Sequence, residues 1–322
     1  MLRSIITALS VVLLSASVSF GAVTLKLGHI AEPENPYGQG ADHFANLVKE
    51  RTKGEVIIQV YPSSQLGNQR DLVEGLTFGT VDMTLTGTAV LGNFIPEVAV
   101  FDLPFIFKDI PHAYKALDTV GMELCKKGEG RGMITLAIWE NGVRHMTNNK
   151  RPIRTPEDMK GLKMRVMEQP VYIEMMKALG ASPTPMAMSE LYTALQKGVI
   201  DGQENPLAHI ATKRFYEVQK YISLTGHTYA SEPLLISTIS WKKLTPEQQQ
   251  IVRQAALDTR DWQRDLCRKL EGTFLKVIKD SGKSEVNDDV DKVAFANATK
   301  SVWKLYSDKF GPANIEAIQN VK

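Results

Sequence analysis

Arg165 sits in Leu162-Lys-Met-Arg-Val166, where apolar residues flank the charge on both sides. Such a run reads as a strand embedded in a sheet, and a guanidinium placed there needs an anion. Its planar fork of donors suits two parallel hydrogen bonds to one carboxylate. That carboxylate belongs either to a bound ligand or to an Asp or Glu of the chain. Arg144, in Glu140-Asn-Gly-Val-Arg-His145, follows a turn and begins a strand, so it either reaches the same region or stays at the surface. Asn205 precedes Pro206 and is expected to start a helix. It then either caps that helix or, with the helix start, offers donors to an anion.

Motifs for bond-breaking chemistry are missing. The sequence holds no GxSxG, no Walker loop and no HExxH, and its six histidines are scattered without ligand spacing. The glycine-rich Gly128-Glu-Gly-Arg-Gly132 precedes a strand and does not open a helix, so it reads as a turn. Acidic pairs such as Glu157 with Asp158 sit at helix starts, where the dipole favours them. The chain is therefore expected not to be an enzyme and to need no cofactor or metal. Cys125 and Cys267 match no CxxC or metal spacing and read as two buried thiols.

Bulk properties narrow the class further. The 322 residues are 43% hydrophobic and 23% charged, with 38 Lys and Arg against 36 Asp and Glu, which excludes disordered and fibrous classes and gives no basic patch for nucleic acid. Arg3, an apolar run from Ile5 to about Ala16, and the small residues Ser19 and Gly21 read as a cleavable signal peptide over residues 1–21. The apolar run is shorter than the ~20 residues of a spanning helix. A soluble exported protein is expected, with the periplasm as its address.

Strands and helices then alternate. Val23 to His29 and Glu55 to Tyr61 read as strands around a helix capped by Asn35, and Asn68 to Phe78 as a second helix leading to a strand at Val81 to Leu85. Further strands are expected at Met133 to Trp139, Leu162 to Val166 and Val199 to Gln203. Helices are expected from Pro170 to Leu179 and from Ser189 to Lys197, with a long amphipathic one from Thr245 to about Lys279. No flexible linker separates the halves, so the chain is expected to cross between two α/β domains more than once. The spacing predicts a first lobe of 22–141 plus 231–270 and a second of 142–230 plus 271–322.

The run from Gly180-Ala-Ser-Pro-Thr-Pro to Asp201-Gly-Gln-Glu-Asn-Pro206, with Gly161-Leu-Lys-Met-Arg-Val166 before it, resembles the periplasmic solute-binding subunits of TRAP transporters, of the DctP type. Tyr61-Pro-Ser-Ser-Gln-Leu-Gly67, Ala99-Val-Phe-Asp-Leu-Pro-Phe105 and Phe215-Tyr-Glu-Val-Gln-Lys220 extend the resemblance over nearly the whole mature chain. It implies an α/β fold of two lobes with an interdomain cleft, hinge strands and a long helix packed across both. By the same resemblance Arg165 holds a ligand carboxylate, Arg144 is a second cationic contact and Asn205 a hydrogen-bonding one. Against the sialic-acid binders, His227 falls on a ligand-contacting position and Met188 stands where those proteins have an aromatic.

Other positions depart from the sialic-acid pattern. Ile30, Gly87 and Val90 replace polar or charged contacts, and Glu168 replaces an asparagine, adding an acceptor suited to hydroxyls or else pointing to solvent. These departures favour a smaller hydroxylated acid, such as a hexuronate or aldonate, with C4-dicarboxylates and other small carboxylates or sulfonates as alternatives. Gln65, Gln39 and Glu32 are candidates to complete the cleft from the first lobe. The implied partners are a small organic acid and the TRAP permease membrane subunits, and a monomer is expected. A ligand-binding protein for a periplasmic sensor is the alternative role.

Overall fold

A computed structural model describes residues 22–322, so the leader expected over residues 1–21 lies outside the described residues. Nine strands occur among them: β1 (Val23–Gly28), β2 (Val56–Tyr61), β3 (Met83–Leu85), β4 (Met133–Asn148), β5 (Lys163–Val166), β6 (Ser182–Pro185), β7 (Gly202–Pro206), β8 (Tyr221–Ser237) and β9 (Glu285–Asn287). They form one mixed sheet in the order β2-β1-β3-β8-β4-β7-β5-β6, with β9 paired to β8. β1 runs parallel to β2 and β3 at one end, and β5 runs parallel to β6 and β7 at the other. The two ends are the cores of two lobes.

Local chemistry explains the outer elements. The Pro36–Arg51 helix starts where the Asn35 side chain accepts the Tyr37 N–H and proline fits the first turn. The Gln69–Phe78 helix opens on a reciprocal pair of caps between Asn68 and Asp71, and ends at Gly79 with φ 72°. Edge strand β6 carries Pro183 and Pro185, which is tolerated because an edge needs fewer ladder donors.

The centre is built by β4, much longer than the strand expected from Met133 to Trp139, and by β8, where no strand was expected. They pair antiparallel from Met133 with Ser237 to Asn148 with Tyr221, and the register breaks between Thr135 and Ala137, between Glu140 and Gly142, and between Arg144 and Met146. At the last break His145 on β4 stands against Leu224 to His227 on β8. Bulges bend a strand and re-aim its side chains, and here they lie where the two lobes meet. Gly142, with φ 129°, and Gly226, with φ 57°, supply backbone that other residues adopt only under strain.

One helix, Pro246–Asp280, joins the lobes outside the sheet. Its 35 residues span about 52 Å at 1.5 Å per residue. Near its start Val252, Ala255 and Ala256 enter the core formed with Leu25, Leu27 and Phe44, while Ile278 near its end enters the core of Leu191, Ile210 and Phe215. No helix among the described residues is long and apolar enough to cross a membrane.

Midway, the long helix is fastened to the hinge strand by polar groups. Gln263 is fully buried, accepts the Glu140 N–H at 2.9 Å and donates to the Glu140 carbonyl at 2.8 Å. Arg264 makes a two-pronged contact with Asp118, both distances 2.8 Å, and donates to the Ile138 carbonyl. Replacing Gln263 by leucine strands a buried N–H and a buried carbonyl on β4. Gln263→Leu is therefore expected to lower unfolding stability by about 1–3 kcal/mol in urea denaturation, and an unchanged midpoint would show that the fastening contributes nothing.

Candidate functional site

Three neighbouring strands place the polar residues singled out in the sequence. Arg144 lies on β4 beside the bulge, Glu204 and Asn205 on the adjacent β7, and Arg165 on β5 beyond it. All four are buried. The helix expected to start at Asn205 begins instead at Leu207, and β7 runs through Asn205 to Pro206. Asn205 therefore caps nothing: its amide donates to Gln203 Oε1 and its Oδ1 accepts from Arg144 at 3.2 Å.

Arg144 is paired inside the protein. Its Nε and Nη2 donate to the two Glu204 carboxylate oxygens, and Nη2 also reaches the Glu204 carbonyl at 2.6 Å. The guanidinium carbon lies 5.6 Å from the centre of the Tyr172 ring, a cation–π distance. Burial alone would raise the Glu204 pKa, but Arg144 and His227 outweigh it and hold the carboxyl below its usual range. His227 is pushed down by burial and is neutral near pH 7. Its Nε2 lies 3.3 Å from Glu204 and its Nδ1 2.7 Å from the Thr225 hydroxyl. A neutral ring then donates from Nε2 to the carboxylate and accepts at Nδ1 from threonine.

Arg165 is different. Its Nε and Nη2 donate to the Met186 carbonyl at 2.9 and 2.6 Å, and its Nη1 is buried without a partner. No carboxylate of the described residues forms a salt bridge with it, and burial lowers its pKa to about 10. Of the two anion sources open from the sequence, the internal one is not used. The guanidinium is held in place at one edge and free at the other.

That free edge belongs to a small, tightly closed cavity between the lobes. Arg144, Arg165, Asn205 and Met188 line it, as do Ile30 and Gly87. A wider recess beside the Lys300–Phe310 helix is lined by Val302, Leu305 and Phe310, but none of its lining residues holds a buried polar atom without a partner. In the interlobe cavity such atoms occur on Arg165, Asp102, Asn141 and His209. Unsatisfied buried polar groups are costly, so their convergence makes this cavity the candidate ligand site.

Several expected contacts lie elsewhere. His227 does not line the cavity, because both ring nitrogens are engaged by Glu204 and Thr225. Glu168 is exposed and lines an adjoining recess with Arg70 and Val90, while its backbone carbonyl accepts from Asn93 across the cleft. Glu32 is taken by Lys213 at 2.8 Å, and Lys213 also donates to the Ile30 carbonyl at 3.0 Å, a contact between the lobes; neither Glu32 nor Lys213 lines the cavity. Gln39 donates to the Glu34 carbonyl and Gln65 is exposed, and neither lines the cavity.

Three residues that do belong to it were not singled out in the sequence. Asp102 donates nothing and accepts through Oδ1 from Thr88 at 3.0 Å and Tyr172 at 3.2 Å, and burial raises its pKa to about 7. Asn141 lines the cavity where a turn was expected. His209 stacks edge-on to Tyr37 at 5.5 Å, and burial keeps its ring neutral. Asp102 within Val98-Ala-Val-Phe-Asp-Leu103 and His209 within Leu207-Ala-His-Ile-Ala211 are polar residues inside apolar runs, the same signal that marked Arg165.

A chain built this way has known counterparts. The family model for bacterial extracellular solute-binding protein family 7, DctP, matches residues 27–309. The 2,3-diketo-L-gulonate-binding periplasmic protein of Escherichia coli K12 is 37% identical over 300 residues, covering 92% of this chain and 91% of that protein. The TRAP periplasmic solute-binding protein of Polaromonas sp. JS666, solved with bound D-erythronate, has a TM-score of 0.91 at 40% identity over 93% of this chain and 99% of its own. That of Sulfurospirillum deleyianum, solved with bound succinate, has a TM-score of 0.89 at 35% identity over 94% and 100%. Two lobes around a closed polar cavity, and similarity along nearly the full length, place the chain in the DctP family of bacterial extracellular solute-binding proteins.

Proposed function

We propose that this chain captures a small hydroxylated carboxylic acid, of the aldonate or hexuronate kind, in its interlobe cavity and delivers it from the periplasm to the membrane permease subunits of a TRAP-type transporter. The observation that carries this reading is the buried, partnerless Nη1 of Arg165 beside an Nε and Nη2 that both donate to the Met186 carbonyl. A ligand carboxylate supplies the missing acceptor and the missing charge. Asn205 and Arg144 add donors from the same lobe, Met188 an apolar wall. The sugar acids named for the Escherichia coli and Polaromonas relatives agree with a cavity that also holds acceptors for hydroxyls.

Delivery needs release as well as capture. Ligand contacts on both lobes favour the closed form only by the difference in affinity between closed and open states. We take the lobes as 22–141 with 231–270 and 142–230 with 271–322, a division supported by the pairing of Met133 to Glu140 with Ser231 to Ser237. The protein acts as a monomer, because each lobe supplies its share of the site from a single chain.

Two measurements test this. Titration with D-erythronate is expected to show binding that Arg165→Ala weakens by about 100-fold while the far-ultraviolet circular dichroism stays unchanged; equal affinity in the variant would refute the clamp. Between the lobes, Lys213→Ala removes the bridge to Glu32 and Ile30. It is expected to weaken binding about three- to fivefold through faster release, and an unchanged release rate in stopped-flow would show that the bridge plays no part in holding the lobes together.

A further inference from the structure

The polar atoms around the cavity are divided by sign. Arg165 and Arg144 approach from β5 and β4, whereas Gln69, Gly87, Thr88, Asp102, Asn141 and Ser231 also line the cavity, with no lysine or arginine among them. Behind Gly87 lies Glu232, fully buried, its Oε2 accepting from the Asn141 amide at 2.8 Å and its Oε1 without a partner. Glu232 does not itself line the cavity, but a side chain at position 87 would begin 3.6 Å from its Oε2, so only the bare backbone of Gly87 and its neighbours separates the carboxyl from the cavity. Asn141 Oδ1 and Asp102 Oδ2 are also partnerless. These groups have acceptors in excess and nothing to neutralise an anion.

We propose that Glu232, behind Gly87, together with Asn141 and Asp102 reads the ligand's hydroxyls and, once ionised, selects a polyhydroxy monocarboxylate over a dicarboxylate. The assignment rests on the Arg165 carboxylate clamp, which fixes the ligand's other end. A hydroxyl can donate to these oxygens and still accept. A second carboxylate can only accept, so it is admitted only when these groups themselves carry a proton.

Burial raises the Glu232 pKa to about 8, so that proton is present near neutral pH and lost above it. The other charged or titratable groups facing Glu232 are Arg144 from β4, which Glu204 neutralises, and Tyr37 from the Pro36–Arg51 helix, whose phenol is held well above its usual range by burial and stays neutral. Dicarboxylate binding therefore weakens as the pH rises, while hydroxy-acid binding is nearly level.

The test is calorimetric titration of the mature chain with D-erythronate, succinate and butyrate, the last having neither hydroxyl nor second carboxylate. Glu232→Gln keeps an acceptor for Asn141 and removes the titrating oxygen. Wild type is expected to prefer erythronate to succinate by more than about tenfold at about pH 8, with succinate affinity falling about tenfold between about pH 6 and pH 9. In Glu232→Gln the preference is expected to shrink below about threefold and the succinate slope to fall to what Asp102, raised by burial to about 7, still contributes, with butyrate affinity within about twofold of wild type. An unchanged preference and slope in both Glu232→Gln and Asp102→Asn would overturn the assignment while leaving the clamp intact. Failure of wild type to bind any of the three acids would contradict the clamp, and the hydroxyl reading with it.

Discussion

Two guanidinium groups, Arg144 and Arg165, are taken out of water at the centre of the molecule, and their compensation governs what surrounds them. Arg144 is neutralised from within by Glu204, which His227 and Asn205 help to hold. Removing one partner of such a buried pair typically costs about 3–5 kcal/mol because the other charge is left stranded. Arg165 has no equivalent. Its two bonds go to a neutral carbonyl, and its third nitrogen faces the cavity with nothing to donate to. Among the described residues one buried cation thus has no carboxylate partner. On the function proposed above, an anionic ligand removes that cost when the lobes close over it, which couples capture to closure without any further device.

The frame around this site limits how the lobes can move. The Pro246–Asp280 helix is rooted in both cores, and on the opposite side Tyr306 and Trp303 of the Lys300–Phe310 helix donate to the carbonyls of Glu97 and Pro104. Opening has to be absorbed at the register breaks of β4 and β8 and along the long helix. Arg144, Gly142, Gly226 and His227 all sit at those breaks, so a change in hinge geometry is felt first by the groups that orient Arg144. The site and the hinge share residues.

Local rules read the sequence well where the structure is local. The cap at Asn35, the helix starts near Asn68 and Thr245 and the apolar-flanked Arg165 were all legible, because each depends on neighbours within a few positions. Asn205 shows the limit. Asn-Pro is a helix-start signal, but pairing of β7 with both β4 and β5 extended the strand through it. Asn141-Gly142 likewise reads as a turn, yet the glycine's positive φ serves a bulge that lets β4 continue across the hinge. Glu32 was singled out by its place after a strand or near a helix start and His227 by resemblance to the sialic-acid binders, and both are claimed instead by Lys213, Glu204 and Thr225, partners far along the chain or created by a bulge. Glu232 shows no signal in its own neighbourhood. Only the count of buried atoms without partners reveals it.

The central claim is that the free edge of Arg165 meets the ligand's carboxylate. A crystal structure of the wild-type chain grown with D-erythronate tests this most directly. The account predicts a ligand carboxylate oxygen about 3 Å from Arg165 Nη1, with both bonds from Arg165 to the Met186 carbonyl kept. A ligand whose carboxylate is held elsewhere, with Arg165 Nη1 still unpartnered or turned towards a protein acceptor, would contradict it.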